Sequence, residues 1–274
     1  MMQMGGHTVC LEPGKSSWGM EIKENAVMDG DAEEHLKDGT NVLCRYADAL
    51  AVRCFPKFLD WAEDKQDLIL YNIAKWSSKP VINMETVTHP CQALAMMLTI
   101  KEKLKEPKKK KFLLTWAYHP KSLNTAVGNS AGMMASMYGM DVTVANPPGY
   151  DLDPYYLDIM KEQCKKNGSK FEVVHDQEKA FEGADFVYAK SWGSLEHYGP
   201  KFDKALQDSN KHWIVDPKKM ALTNNGLFSH CLPVRRNMIV TDSVIDSPAS
   251  VCYDEAENRL HVQKAILFKL LGGK

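Results

Sequence analysis

The sequence predicts an α/β fold of two domains, each a parallel sheet covered by helices. Short apolar runs alternate with longer segments whose apolar residues recur at helical spacing, the βαβα rhythm that builds parallel sheets. A length of 274 residues accommodates two domains of ordinary size. The break Glu106-Pro107-Lys108 after a long helical segment supplies the boundary between them.

In chain order, the expected strands are His7–Leu11, Ala49–Cys54, Pro80–Met84, Phe112–Ala117, Asp141–Ala145, Lys170–Val174, Asp185–Lys190 and Trp213–Val215. Pro80–Met84 is an apolar run that reads as a buried strand. Helices are expected at Glu33–Ala47, Phe58–Trp76, Cys91–Lys105, Leu123–Tyr138 and Pro154–Asn167. In the third of these, Leu94, Met97, Leu98 and Leu104 share one face, and Pro90 suits the first helical turn, where its missing N–H is not needed. A last amphipathic helix runs from about Asp254 to Leu271. The expected division is a first domain over 1–106, a second over 107–253, and a C-terminal helix, 254–274, that returns to the first domain.

Composition narrows the function. The net charge of -1 gives no basic field for nucleic acid or an anionic membrane. The longest apolar runs fall far short of a membrane span, and Met1 to Gly6 has no charged region followed by an apolar stretch. The basic run Lys108 to Lys111 leads straight into a strand and reads as a solvated loop. The 7 cysteines include no C-x-x-C pair and no zinc-type spacing, so no metal is expected, and the odd count fits reduced thiols in the cytoplasm. No G-x-G-x-x-G fingerprint, P-loop or internal repeat occurs, which argues against a dinucleotide enzyme or an ATPase; no cofactor is expected.

Two clusters carry chemistry. His230-Cys231-Leu232-Pro233 with Arg235-Arg236 follows the turn sequence Thr223-Asn224-Asn225-Gly226. The proline disfavours the α conformation at Leu232, so an extended backbone is expected there, its carbonyls free to face a ligand. Arg235 offers a fork of donors suited to a carboxylate or phosphate. The second cluster, His89-Pro90-Cys91-Gln92, stands where a strand gives way to a helix. Free backbone N–H groups and the helix dipole favour an anion or a polarised carbonyl at such a junction, and open α/β sheets bind ligands outside their strand ends.

Read together, the clusters resemble the aspartate/ornithine carbamoyltransferases, and among them the N-acetylornithine branch. The resemblance runs over essentially the whole chain. It is carried by Glu12-Pro13-Gly14-Lys15 with Trp18, Val27-Met28-Asp29-Gly30-Asp31 with Glu33, Arg53-Cys54-Phe55-Pro56-Lys57, and Glu85-Thr86-Val87-Thr88-His89-Pro90-Cys91-Gln92. Thr115 to Pro120, Lys190-Ser191-Trp192-Gly193, Met220 to Pro233 and Asp254-Glu255-Ala256-Glu257-Asn258-Arg259 continue it. Singly, Trp18 also reads as an exposed aromatic, Glu85 as a helix cap and Lys190 as a solvated strand edge; in order and at family spacing they read as a site.

The resemblance implies transfer of a carbamoyl group from carbamoyl phosphate to the side-chain amine of N-acetyl-L-ornithine, a step of arginine biosynthesis, without cofactor. His89 and Arg53 become donors to the carbamoyl oxygen, Gln92 holds its amide, and Cys231 with the Leu232 carbonyl orients the amine. Trp18, Arg259, Pro90 and Cys91 join the carbamoyl phosphate site, with Trp18 crossing from a neighbouring subunit of a homotrimer. Glu85, Lys190, Arg235, Leu232 and Glu33 are implied to hold acetylornithine, Glu33 separating acetyl from succinyl users. N-succinylornithine or plain ornithine transfer stands as the alternative. The family's Ser-x-Arg-Thr-Arg phosphate loop occurs nowhere in the 274 residues. The resemblance therefore implies an incomplete first domain, lacking its first strand and helices, and negligible transfer by this chain alone. A non-catalytic truncated subunit is the further alternative.

Overall fold

A computed structural model describes residues 1–272; residues 273 and 274, the end of the expected return segment, lie outside the described residues. The apolar run Phe112-Leu113-Leu114 is fully shielded from water, as a parallel strand covered on both faces must be. It belongs to β5 (Lys111–Trp116), the middle strand of a five-stranded parallel sheet. The sheet also contains β6 (Asp141–Ala145), β7 (Phe171–Val174), β8 (Phe186–Lys190) and β9 (Leu227–Ser229), in the order β7-β6-β5-β8-β9. Between them run α5 (Ala126–Met137), α6 (Pro154–Asn167), α7 (Gln177–Phe181), α8 (Lys204–Ser209) and α9 (Pro217–Met220); α10 (Asp242–Ile245) follows β9.

The N-terminal half is built differently. Its described strands and α-helices are β1 (Met20–Glu21), β2 (Glu34–His35), α1 (Leu36–Tyr46), β3 (Leu50–Arg53), α2 (Trp61–Asp64), α3 (Leu68–Trp76), β4 (Val81–Glu85) and α4 (Pro90–Leu104). The strands form two separate parallel pairs, β1-β2 and β3-β4. α11 (Cys252–Leu271) lies along α4. Asn258 Nδ2 donates to Thr99 Oγ1 (2.9 Å) and Glu102 Oε2 (2.8 Å), and Lys103 pairs with Asp254 at 2.5 Å.

A second tie joins the halves. Trp61 Nε1 donates to Asp153 Oδ2 (2.6 Å), and the Tyr198 hydroxyl donates to Asp64 Oδ2 (2.8 Å). Beside them the backbone is tight enough to need glycine. Gly199 has φ +59°, and a Cβ there would stand 2.1 Å from the Phe58 carbonyl oxygen.

Several expected elements differ. His7–Leu11 forms no strand and is exposed along its length. The expected Trp213–Val215 strand reduces to one isolated bridge, Val215 to Val240, and β9 takes the sheet edge instead. The expected Phe58–Trp76 helix splits into α2 and α3, because Asp67 adopts a left-handed conformation at φ 51°. The segment expected as a buried strand, now β4, is only half-buried along its length. Leu232 is not extended: its φ is 44°, and the bond to Pro233 is cis. His230 Nδ1 draws in the Leu232 N–H at 3.0 Å, which folds the chain back over one residue.

Candidate active site

Side chains from the ends of four strands meet in one cavity of about 340 Å³. β3 ends on Arg53, β4 on Glu85, β8 on Lys190, and β9 leads directly into His230-Cys231-Leu232. His89 and Gln92 enter from the first turn of α4, three residues apart and therefore on one helix face. Arg259 of α11, with Met84, Val127 and Pro233, completes the lining.

The turn between β4 and α4 is held by the second half of the chain. Asn124 Nδ2 donates to the Thr86 carbonyl (2.6 Å) and Asn129 Nδ2 to the Val87 carbonyl (3.0 Å). The His89 N–H, one of the unpaired donors at the start of α4, donates to Ser130 Oγ at 2.7 Å. His89 is thereby fixed in a buried position. Burial, then the cations Arg259, Arg53 and Lys190, push its pKa down to about 3. At neutral pH the ring is an uncharged imidazole that keeps one N–H to donate.

Charge in the cavity is mostly positive. Arg53 places Nη2 2.9 Å from Glu85 Oε2, and His89 Nε2 stands 3.6 Å from the same oxygen. Arg259 Nη1 donates to Gln92 Oε1, while Gln92 Nε2 donates to the buried Glu255 carboxylate. Burial pushes the Cys231 thiol up, against the pull of Lys190, so it is protonated at neutral pH. A protonated thiol serves as a hydrogen-bonding group rather than a nucleophile.

Of the residues singled out from sequence, Arg53, Glu85, His89, Gln92, Lys190, Cys231, Leu232 and Arg259 line this one cavity. Pro90 and Cys91 do not; Cys91 is buried with its thiol toward the Asn83 carbonyl (3.5 Å). Arg235 is outside the lining and donates from Nε to His119 Nε2 (2.9 Å). Trp18 and Glu33 line a different, open depression with Glu34, and the Trp18 indole donates to Glu34 Oε2 at 2.6 Å. His119 and Glu255 carry no role in the resemblance, although both sit inside its motifs, Thr115 to Pro120 and Asp254 to Arg259.

Residues 1–102 match the aspartate/ornithine carbamoyltransferase carbamoyl-P binding domain, and residues 115–270 match the Asp/Orn binding domain. The chain belongs to the aspartate/ornithine carbamoyltransferase family. The N-acetylornithine carbamoyltransferase of Xanthomonas campestris is 53% identical over 98% of the chain and 81% of its own length. The N-succinylornithine carbamoyltransferase of Bacteroides thetaiotaomicron is 38% identical over 99% of the chain and 81% of its own length. Among solved structures, acetylornithine transcarbamylase complexed with acetylcitrulline superposes with a TM-score of 0.97 at 52% identity, covering 99% of this chain and 83% of that one. A mutant N-acetyl-L-ornithine transcarbamylase complexed with carbamyl phosphate and N-succinyl-L-norvaline superposes at 0.96, covering 98% and 82%. As a member of the carbamoyltransferase family, the chain has its strand-end cavity where open α/β sheets bind ligands. Among the described residues, no helix is long and apolar enough to cross a membrane.

Proposed function

We propose that this chain is the carbamoyltransferase subunit that moves the carbamoyl group of carbamoyl phosphate onto the side-chain amine of N-acetyl-L-ornithine, giving N-acetyl-L-citrulline and phosphate in arginine biosynthesis. The observation that carries the reading is the neutral, buried His89 facing a cavity lined by Arg53, Lys190 and Arg259. The amine must be uncharged to attack, and a cavity rich in fixed cations disfavours its protonated form. Attack forms the C–N bond and builds negative charge on the carbamoyl oxygen. The His89 and Arg53 donors, already in place, stabilise that charge without reorganising. Collapse of the tetrahedral adduct breaks the C–O bond to phosphate, whose oxygen can accept the proton the amine gives up.

Gln92 Oε1 and the Leu232 carbonyl are acceptors for the carbamoyl NH₂ and the incoming amine. Lys190, with Arg235 two residues beyond Pro233 of the lining, is a charge partner for the free α-carboxylate of the acylated amino acid. Trp18 and Glu33 occupy their own depression, and the reading places it against the cavity of a neighbouring copy in a homotrimer. The seven free thiols suit a reducing, cytoplasmic setting.

A radiolabelled carbamoyl phosphate assay tests this. It is run on residues 1–274 and on the same chain with a Ser-x-Arg-Thr-Arg segment joined ahead of Met1. Transfer to N-acetylornithine by the extended chain, exceeding transfer to ornithine, is the expected result. Equal or better turnover of unacetylated ornithine overturns the substrate assignment.

A further inference from the structure

We infer that Glu255 is a positioning residue that sets which end of the Gln92 amide faces the reacting carbamoyl group. Glu255 is completely buried in α11; the charge of Arg259 acts on it, but among the described residues no cation forms an ion pair with it. Three groups converge on its carboxylate. Gln92 Nε2 and the Tyr188 hydroxyl (2.9 Å) donate to Oε1, and Ser229 Oγ donates to Oε2 at 2.5 Å.

An amide side chain is nearly symmetric in shape, so packing alone does not decide which end is oxygen. Its two neighbours do. An ionised carboxylate only accepts, and therefore takes the NH₂ end; the Arg259 guanidinium only donates, and therefore takes the oxygen end. Both restraints give the same answer, with Nε2 held inward and Oε1 turned to Arg259 and the cavity. An oxygen there can accept from the carbamoyl NH₂, whereas an NH₂ there would oppose it donor to donor. Burial raises the Glu255 pKa, and the three donors on its carboxylate, with the charge of Arg259, oppose that rise.

This rests on the carbamoyl-transfer reading, and two measurements separate the failures. The first needs no ligand. The Gln92 side-chain NH₂ signals in nitrogen-edited NMR are expected to shift and broaden in Glu255→Gln, where the amide can flip, and to remain sharp in Tyr188→Phe, which removes a different contact to the same carboxylate. Unchanged Gln92 signals in Glu255→Gln overturn the inference whatever the chain binds.

The second is calorimetry with N-acetyl-L-citrulline, which carries the carbamoyl group, and N-acetyl-L-ornithine, which lacks it. Glu255→Gln is expected to weaken the citrulline ligand about tenfold and to leave the ornithine ligand within twofold. It is expected to add nothing in a Gln92→Ala background. The reciprocal pair Gln92→Glu with Glu255→Gln again presents an oxygen to Arg259 and is expected to recover most of the loss. Equal weakening of both ligands, or the same loss without Gln92, makes Glu255 a purely structural anchor. Failure of the unaltered chain to bind either ligand counts against the functional reading, and the ligand-free spectra then decide the inference alone.

Discussion

Arg235 donates its Nε–H to Nε2 of His119, a contact of 2.9 Å between residues 116 positions apart. Burial, with Arg235 and Lys190 close by, holds the His119 pKa below its ordinary value, so the ring accepts as a neutral base. The bond fixes the plane of the guanidinium and leaves its two Nη groups for a ligand. Arg235→Lys keeps the charge but loses both the fork and the histidine contact. Calorimetry is expected to show N-acetyl-L-ornithine binding weakened at least about tenfold, roughly 1.4 kcal/mol; an unchanged affinity would remove Arg235 from the acceptor site.

His89→Ala should act on rate rather than on acceptor binding. A donor aimed at a developing oxyanion is worth on the order of 10²–10³ in turnover. In the extended chain the turnover number is expected to fall by that factor, with the dissociation constant for N-acetyl-L-ornithine within about threefold of the unaltered value. A rate that barely changes would make His89 a structural residue of the α4 start.

The neutral state of His89 also sets an acid limit on stability. Its pKa drops from an ordinary 6.5 to about 3 on folding. Between those values the unfolded chain binds a proton that the native one does not, so stability is intact above pH 6.5 and is lost progressively as pH falls toward 3. Full burial of His230 lowers its pKa in the same direction. Urea midpoints measured at several pH values should decline less steeply for His89→Gln than for the unaltered chain. Parallel declines would show that His89 is not held neutral.

Glu33 lies beside Trp18 in a depression that also contains Glu34. A carboxylate near the acyl group repels the terminal carboxylate of a succinyl group and tolerates an acetyl group. In the extended chain, Glu33→Ser is expected to raise activity with N-succinylornithine several-fold relative to the acetyl substrate. An unchanged ratio leaves Glu33 a residue of the bend before β2.

Much of this arrangement is legible because it is local. The buried runs of β5 and β8 announce themselves, and His89 with Gln92 follows from three-residue spacing at a strand-to-helix junction. The parts that escaped depend on distant packing. Gln92 meets Glu255 across 163 positions and Arg235 meets His119 across 116, pairings that no window of sequence contains. The proline neighbour alone predicts an extended Leu232, whereas the His230 ring captures the Leu232 N–H and turns the chain there. The His7–Leu11 strand failed for the opposite reason: its local pattern is sound, but no sheet edge among the described residues receives it.

A crystal structure of the chain with N-acetyl-L-citrulline reads the orientation of the carbamoyl group in the cavity directly. The ureido oxygen is expected within hydrogen-bonding distance of His89 and Arg53, the ureido NH₂ on Gln92 Oε1 and the Leu232 carbonyl, and the α-carboxylate toward Lys190 and Arg235. A ligand bound in the reverse sense, with its carboxylate on Arg53 and Arg259 and its ureido group at Lys190, would contradict the proposed function.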